Sequence, residues 1–482
     1  MTAPRPGALA PDPVRSGLPD RSGPSDRSGL PDRTDSGSDS GPCPCPCPGP
    51  VSGPVPGPWG DSDSATGPAV TPRGGRRAGP VVTELRLSAF AAHRGTVVPL
   101  APLTLLAGPS GCGASSVLRA YEALSRLAAG ASLAEVFPDP AGCVPEGAAP
   151  DRQGRRGLRI GCTADGPAGP VRLELAVQAE PTLRIVGERL TRAGQTLLST
   201  ALRDPGRPTL QAAWHTADEL PVRREQLPDD RLGTALLPLR VAGRTPGQLQ
   251  VLAAAEQMVV ALRPAFACEP RPHRMRTPVP TDEGRLRRDC GNLAAVLHAA
   301  RNGQGQGQGQ DQRLGQGQGL GLGLGLGQGQ RQVYRYGHGR RHARLVALAN
   351  AGCARAVTGI DVERPADGLV RAVVARGDGP GTPLERLGDG ELRYLALAVA
   401  LIMGPGTDPA DGDSEVPQAL QTLTVLADGL DRDLDGQQTR ELLTAAASAA
   451  AAGHVRLLGT VTEAGAARAR RTAGAAVVDL GM

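Results

Sequence analysis

The apolar run Leu103–Ala107 opens directly into Gly108-Pro109-Ser110-Gly111-Cys112-Gly113-Ala114-Ser115-Ser116 and then into a helix, and no other stretch of the chain narrows the choice of fold as much. An apolar run without alternation reads as a strand covered on both faces, and such strands belong to parallel sheets flanked by helices. The segment that follows places Val117, Tyr121, Leu124 and Ala128 along one helical face. Strand, glycine loop and helix in that order form the setting in which backbone N–H groups and a helix N-terminus converge on phosphate oxygens. Gly108, Gly111 and Gly113 permit the curl because they carry no Cβ. Ser115, followed by Ser116, stands where a hydroxyl would reach a magnesium ion. Ala114 stands where such a loop has the Lys that reaches the β- and γ-phosphates. Taken alone, the segment also fits a simple glycine turn.

Composition bears on that Ala. The 482-residue chain has no Lys, and all 53 of its basic residues are Arg. A bias against Lys does not account for Ala114, because Arg would have kept the charge. With a formal net charge of +5 and both signs interspersed, the chain lacks a strong electrostatic footprint for nucleic acid. Nine cysteines without paired spacing do not read as a disulfide framework, and no leader pattern opens the sequence, so the protein is expected to be cytoplasmic. No run approaches the roughly 18 apolar residues of a membrane-spanning helix.

Two tracts divide the chain. Residues 1–80 are rich in Pro, Gly, Ser and Asp, with SGLPDR at Ser16–Arg21 and again at Ser28–Arg33. They carry too little apolar surface to offset the entropy of ordering and read as a disordered tail. Cys43, Cys45 and Cys47 alternate there with Pro and have no fourth ligand nearby, so no metal clip is expected. Residues 303–344 read as a Gly/Gln-rich flexible insertion and linker. His338 and His342, at helical spacing but without acidic or Cys company, read as a solvated face.

Around these tracts an α/β pattern emerges. Val82–Leu87 and Thr96–Leu100 read as strands, and Val171, Leu173, Leu175 and Val177 alternate as in a half-exposed antiparallel sheet that continues through Leu183–Leu190. Residues 205–302 read as mainly helical. The apolar runs Leu423–Ala427, Val455–Thr460 and Ala475–Leu480, separated by helical stretches such as Gln437–Ala451, predict parallel strands.

Several of these segments together resemble the AAA-type ATP-binding proteins of the SMC/RecF-like, ATP-binding-cassette group. They are VTELRLSAF through GPSGCGASSVLRAYEALSRLA, CGNLAAVL at Cys290–Leu297, and PLERLGDGELRYLALAVAL at Pro383–Leu401, about half the chain in all. The resemblance implies an α/β P-loop NTPase with a mixed sheet and an antiparallel sub-sheet. Residues 81–204 and 345–482 would form the two halves of the ATPase domain, and 205–302 a helical lid. ATP and Mg2+ are the implied cofactors, and a homodimer through the signature segment is the implied assembly.

In that pattern Thr424-Val425-Leu426-Ala427-Asp428 resembles a Walker B strand, with Asp428 holding magnesium through water beside Ser115. Asp389, Gly390 and Arg393 match the signature segment, whose Ser position is Gly388. Gly429 stands where the family carries the Glu that polarises the attacking water, and Val461 where it carries a His toward the γ-phosphate. Asp431 is the nearest spare carboxylate and reads as a surface turn, and Leu434-Asp435 weakly matches a loop linking two sites. Ala114, Gly388, Gly429 and Val461 all fall on positions that handle the terminal phosphate. Three functions follow: an ATP-binding regulatory protein with weakened or lost hydrolysis, an active ATPase of DNA repair or phage defence using an Arg from elsewhere in the fold, or a scaffold that no longer binds nucleotide.

Overall fold

The computed structural model describes residues 79–214, 223–300, 328–366, 368–405 and 422–481, all within the unit Pro58–Met482. The expected tail up to residue 78, with its three Pro-spaced cysteines, and the Gly/Gln tract up to residue 327 lie outside the described residues, as does the His338 side chain.

A five-stranded parallel sheet carries the site. Its order is Ala265–Ala267, Leu423–Ala427, Val455–Thr460, Leu103–Ala107 and Ala475–Asp479, so the strand before the glycine loop lies inside the sheet and is covered on both faces, as its unbroken apolar sequence requires. Leu103, Leu105, Val425 and Leu457 turn to one side and pack with the helices Asp389–Ile402 and Gly436–Ala451. Leu106, Leu426 and Leu458 turn to the other, against the helix Ala114–Ala128. Tyr121 of that helix is fully buried, and its hydroxyl donates to Thr424 Oγ1 at 3.1 Å. Burial pushes the Tyr121 pKa up to about 12, so it remains a neutral donor.

The second sheet is antiparallel and eight-stranded. It runs from the hairpin Val81–Phe90 and His93–Pro99 through Arg156–Asp165, Val171–Glu180, Arg184–Arg192 and Gln195–Ala201 to Thr209–Trp214 and Arg223–Pro228. The alternating Val171, Leu173, Leu175 and Val177 all point into its core. That face is closed by the helix Pro246–Leu262, whose Val251, Met258 and Leu262 share the apolar cluster. A four-stranded antiparallel sheet, Val279–Pro280, Leu369–Ala375 and Gly359–Ala366 with Thr382–Pro383, completes the mixed α/β architecture.

Two expectations are corrected. The span 205–302 is helical only in part: Thr209–Trp214 and Arg223–Pro228 extend the antiparallel sheet, because Leu210, Ala212 and Trp214 alternate inward. The helix Pro246–Leu262 covers that sheet, and the chain then enters the parallel sheet at Ala265. The flexible reading of 303–344 ends at Gln328, where the helix Gln328–Gly352 begins. Tertiary packing holds its far end, with Leu345, Leu348 and Ala349 buried and the Leu348 carbonyl accepting from Tyr394 at 2.6 Å.

Candidate phosphate-binding site

Strand register assembles the site. Ala267 pairs with Leu426, Ala427 with Gly459, and Thr460 with Leu106, so Glu269, Asp428, Thr460 and Gly108 come together at the carboxyl edge of the parallel sheet. That edge is where open α/β sheets bind ligands. Beyond Ala107 the chain curls with Gly111 at φ +88° and Gly113 at φ +87°, the left-handed region that glycine enters without a Cβ penalty. Gly113 caps the helix Ala114–Ala128 without a side-chain cap hydrogen bond. Gly108, Ser110 and Gly111 are exposed, and Ala114 is half-buried.

The two metal candidates, 313 positions apart, meet directly. Ser115 Oγ donates to the Asp428 carboxylate, at 2.9 Å from Oδ1 and 3.1 Å from Oδ2. Thr460 Oγ1 donates to Asp428 Oδ1 at 2.6 Å and accepts from the Gly429 N–H at 2.7 Å. Ser116 N–H bonds to Gly113 O at 2.8 Å as an ordinary first-turn contact. A hydroxyl beside a carboxylate offers the hard oxygen atoms that magnesium takes.

Sequence reasoning missed Thr460 and His93. The strand of Thr460 was legible, but nothing in its sequence distinguished that hydroxyl from its neighbours. His93 is nearly buried, and its Nε2–H donates to the Gly113 carbonyl at 2.9 Å while Nδ1 lies 3.1 Å from Thr96 Oγ1. A Cβ on Gly113 would lie 2.5 Å from His93 Nε2, so the imidazole and the bare glycine are a matched pair under the loop. Only the hairpin that folds back beneath the loop creates this contact.

The signature-like segment is held mainly by packing. Gly388 caps the helix Asp389–Ile402 in extended backbone. Asp389 pairs with Arg276 at 2.7 Å, and the same guanidinium donates to Leu387 O at 2.8 Å. Gly390 sits where a Cβ would come 2.4 Å from Asp433 O. Arg393, 6% exposed, turns inward and donates to the carbonyls of Pro270, Gly429 and Arg432 at 2.8–3.0 Å. Gly390 and Arg393 thus have structural roles whatever the segment binds.

At the remaining positions, Gly429 has φ +63° and Val461 is buried. The surface-turn reading of Asp431 is corrected: it is 9% exposed and accepts from the Thr462 N–H at 3.0 Å and from the Thr462 hydroxyl. It anchors the start of the helix Glu463–Ala469. Asp435 is likewise engaged, capping the helix Gly436–Ala451 through Gln437 N and Gln438 N.

No protein-family model and no curated protein matches the sequence. Among solved structures, the chain is similar to an SMC head bound to the C-terminal winged-helix domain of ScpA, with 11% identity, 80% of this chain and 91% of that chain covered, and a TM-score of 0.41. It is similar to an SMC head with an extended coiled coil bound to the C-terminal domain of ScpA from Pyrococcus furiosus, with 10% identity, 81% and 92% covered, and a TM-score of 0.39. The SMC head domain from Thermotoga maritima matches at 11% identity, with 80% and 89% covered and a TM-score of 0.33. The chain is therefore similar in structure, across most of its length, to SMC head domains.

Proposed function

We propose that this chain is an ATP-binding protein of the ATP-binding-cassette type that hydrolyses ATP slowly or not at all. The observation that carries the reading is the contact of Ser115 with Asp428 at the mouth of the left-handed glycine loop. The N–H groups of Gly111, Gly113, Ala114 and Ser115 would hold phosphates, and Ser115 and Asp428 would hold magnesium. Among the described residues no group of three or more His, Cys, Asp or Glu is placed to hold a metal.

Weak hydrolysis follows from three positions next to Asp428 and at the strand end, since Glu122 and Glu269 in the neighbouring pocket are paired with Arg288. Gly429 supplies no carboxylate next to Asp428, Val461 offers no polar group, and Asp431 is committed to Thr462. Phosphoryl transfer depends on a positioned water and charge-stabilising contacts, and these positions provide neither. The N-terminus of the helix Asp389–Ile402, free of a side-chain cap, would meet a phosphate bound by a second copy, which makes a nucleotide-responsive homodimer the expected signalling form.

The test is calorimetric titration of the full chain with ATP and magnesium, followed by a phosphate-release assay. Magnesium-dependent binding with little phosphate release is the expected result. Absence of binding overturns the reading. Phosphate release that Asp428→Asn abolishes would make the chain an active ATPase.

A further inference from the structure

The glycine loop has no cation of its own, yet Arg288 shares a pocket with Ser115, at the loop's end, and with Asp428. Ser115, Arg119, Glu122, Glu269, Arg288 and Asp428 line a common pocket at the carboxyl edge of the parallel sheet. Arg288 comes from a distant segment, but its backbone is fixed there. Glu269 N–H donates to Arg288 O at 2.8 Å and Arg271 N–H to Asp289 O at 3.0 Å, closing the neck of a loop whose base is the buried pair Cys268 and Cys290, with sulfurs 3.7 Å apart. From that neck the guanidinium reaches Glu122 Oε1 through Nη1 and Glu269 Oε1 through Nη2, both at 2.5 Å. Arg119 is otherwise engaged, 5.9 Å above the Phe90 ring and with Nη2 3.7 Å from the Cys143 sulfur.

We propose that Arg288 supplies the cationic contact to the nucleotide's β- and γ-phosphates that Ala114 cannot, a role that rests on the ATP-binding reading above. Charge favours such a group. Asp428, Glu122 and Glu269 put three carboxylates around the pocket against the two guanidinium groups of Arg119 and Arg288, and a polyphosphate entering among them meets less repulsion where one of those cations turns toward it. Arg288 has the right chemistry, because a guanidinium holds five N–H donors in a planar fork that matches phosphate oxygens. Glu122 and Glu269 each take one end of the fork, which orients it and leaves further N–H groups for a second anion. Those carboxylates also hold the Arg288 pKa above its usual range, chiefly through the Glu269 hydrogen bond.

A purely structural role, cross-bracing the helix Ala114–Ala128 to the loop neck, predicts different measurements. The full chain, Arg288→Gln, Arg288→Met, Arg288→Lys and the double variant Ala114→Lys with Arg288→Gln are titrated with MgATP and with AMP, and each is melted thermally. The proposal expects both neutral variants to weaken ATP binding by roughly tenfold while leaving AMP binding unchanged. Arg288→Lys should retain most of the ATP affinity, and Ala114→Lys should restore it in the Gln background. Equal losses for ATP and AMP, or no rescue by Ala114→Lys, assign Arg288 to structure and overturn the proposal. Should Arg288→Gln fail to fold, Arg288→Met against Arg288→Lys carries the comparison, since both keep the aliphatic stem. ATP binding unaffected by neutral replacement overturns the proposal alone; an unaltered chain that binds no ATP overturns the reading of the site as well.

Discussion

At the residue scale, the four positions that the proposed function reads as substituted are not equivalent, because backbone geometry decides which would accept another side chain. Ala114 is the first residue of a helix, half-buried, in conformation any residue adopts. Ala114→Lys is expected to tighten ATP binding several-fold in a titration, since the loop supplies the N–H groups and an ammonium adds a phosphate-directed charge. It should not restore turnover, because gripping phosphate and activating water are separate tasks. Gly429 is a harder reversal. At φ +63° a side chain costs about 1–2 kcal/mol, and its Cβ would lie 3.0–3.1 Å from the Arg432 guanidinium. Gly429→Glu should therefore lower the melting temperature, and its carboxylate should pair with Arg432 and leave phosphate release by Ala114→Lys unchanged. Strong phosphate release from that double variant would show that the loop relaxes to place the carboxylate on water.

At the scale of elements, the site depends on how few groups hold the strand ends together. Arg393 ties the Asp389–Ile402 helix to the carbonyls of Pro270, Gly429 and Arg432, linking the signature-like segment to the residue after Asp428. Arg393→Ala removes the donor from one buried and two part-buried carbonyls and is expected to cost about 2 kcal/mol or more in denaturant unfolding. A loss under about 1 kcal/mol would mean that water replaces the guanidinium. The sequence matched Arg393 to the signature segment, and the structure places it within the helix Asp389–Ile402; its inward direction was not legible, since no local pattern says which carbonyls a long side chain will meet. The same holds for Asp431, which reads as an exposed turn and is in fact the buried anchor of Thr462.

At the scale of the whole molecule, the two apolar clusters on either face of the parallel sheet draw on residues from Val82 to Ala469. Residues 1–78 contribute little apolar sequence that could join them. Deleting those residues should leave the thermal midpoint nearly unchanged in a calorimetric scan, and a large drop would show that the segment packs on the folded part. Among the described residues no helix is long and apolar enough to cross a membrane, in keeping with the absence of such a run from the sequence.

Sequence by itself determined the parallel strands, the glycine loop and the helix behind it, because local period and glycine placement are properties of neighbouring residues. It also showed that the loop carries Ala114 and no basic residue between Gly108 and Ser116. Only tertiary structure decided that Ser115 meets Asp428 across 313 positions, that Thr460 and His93 complete the setting, and that Arg288 shares a pocket with Ser115 and Asp428. It also decided that Thr209–Trp214 and Arg223–Pro228 are strands, where local reading expected helix. Short segments with ambiguous periods take the structure that neighbouring strands offer them, and side chains from distant segments meet only where strand register brings them to the same edge.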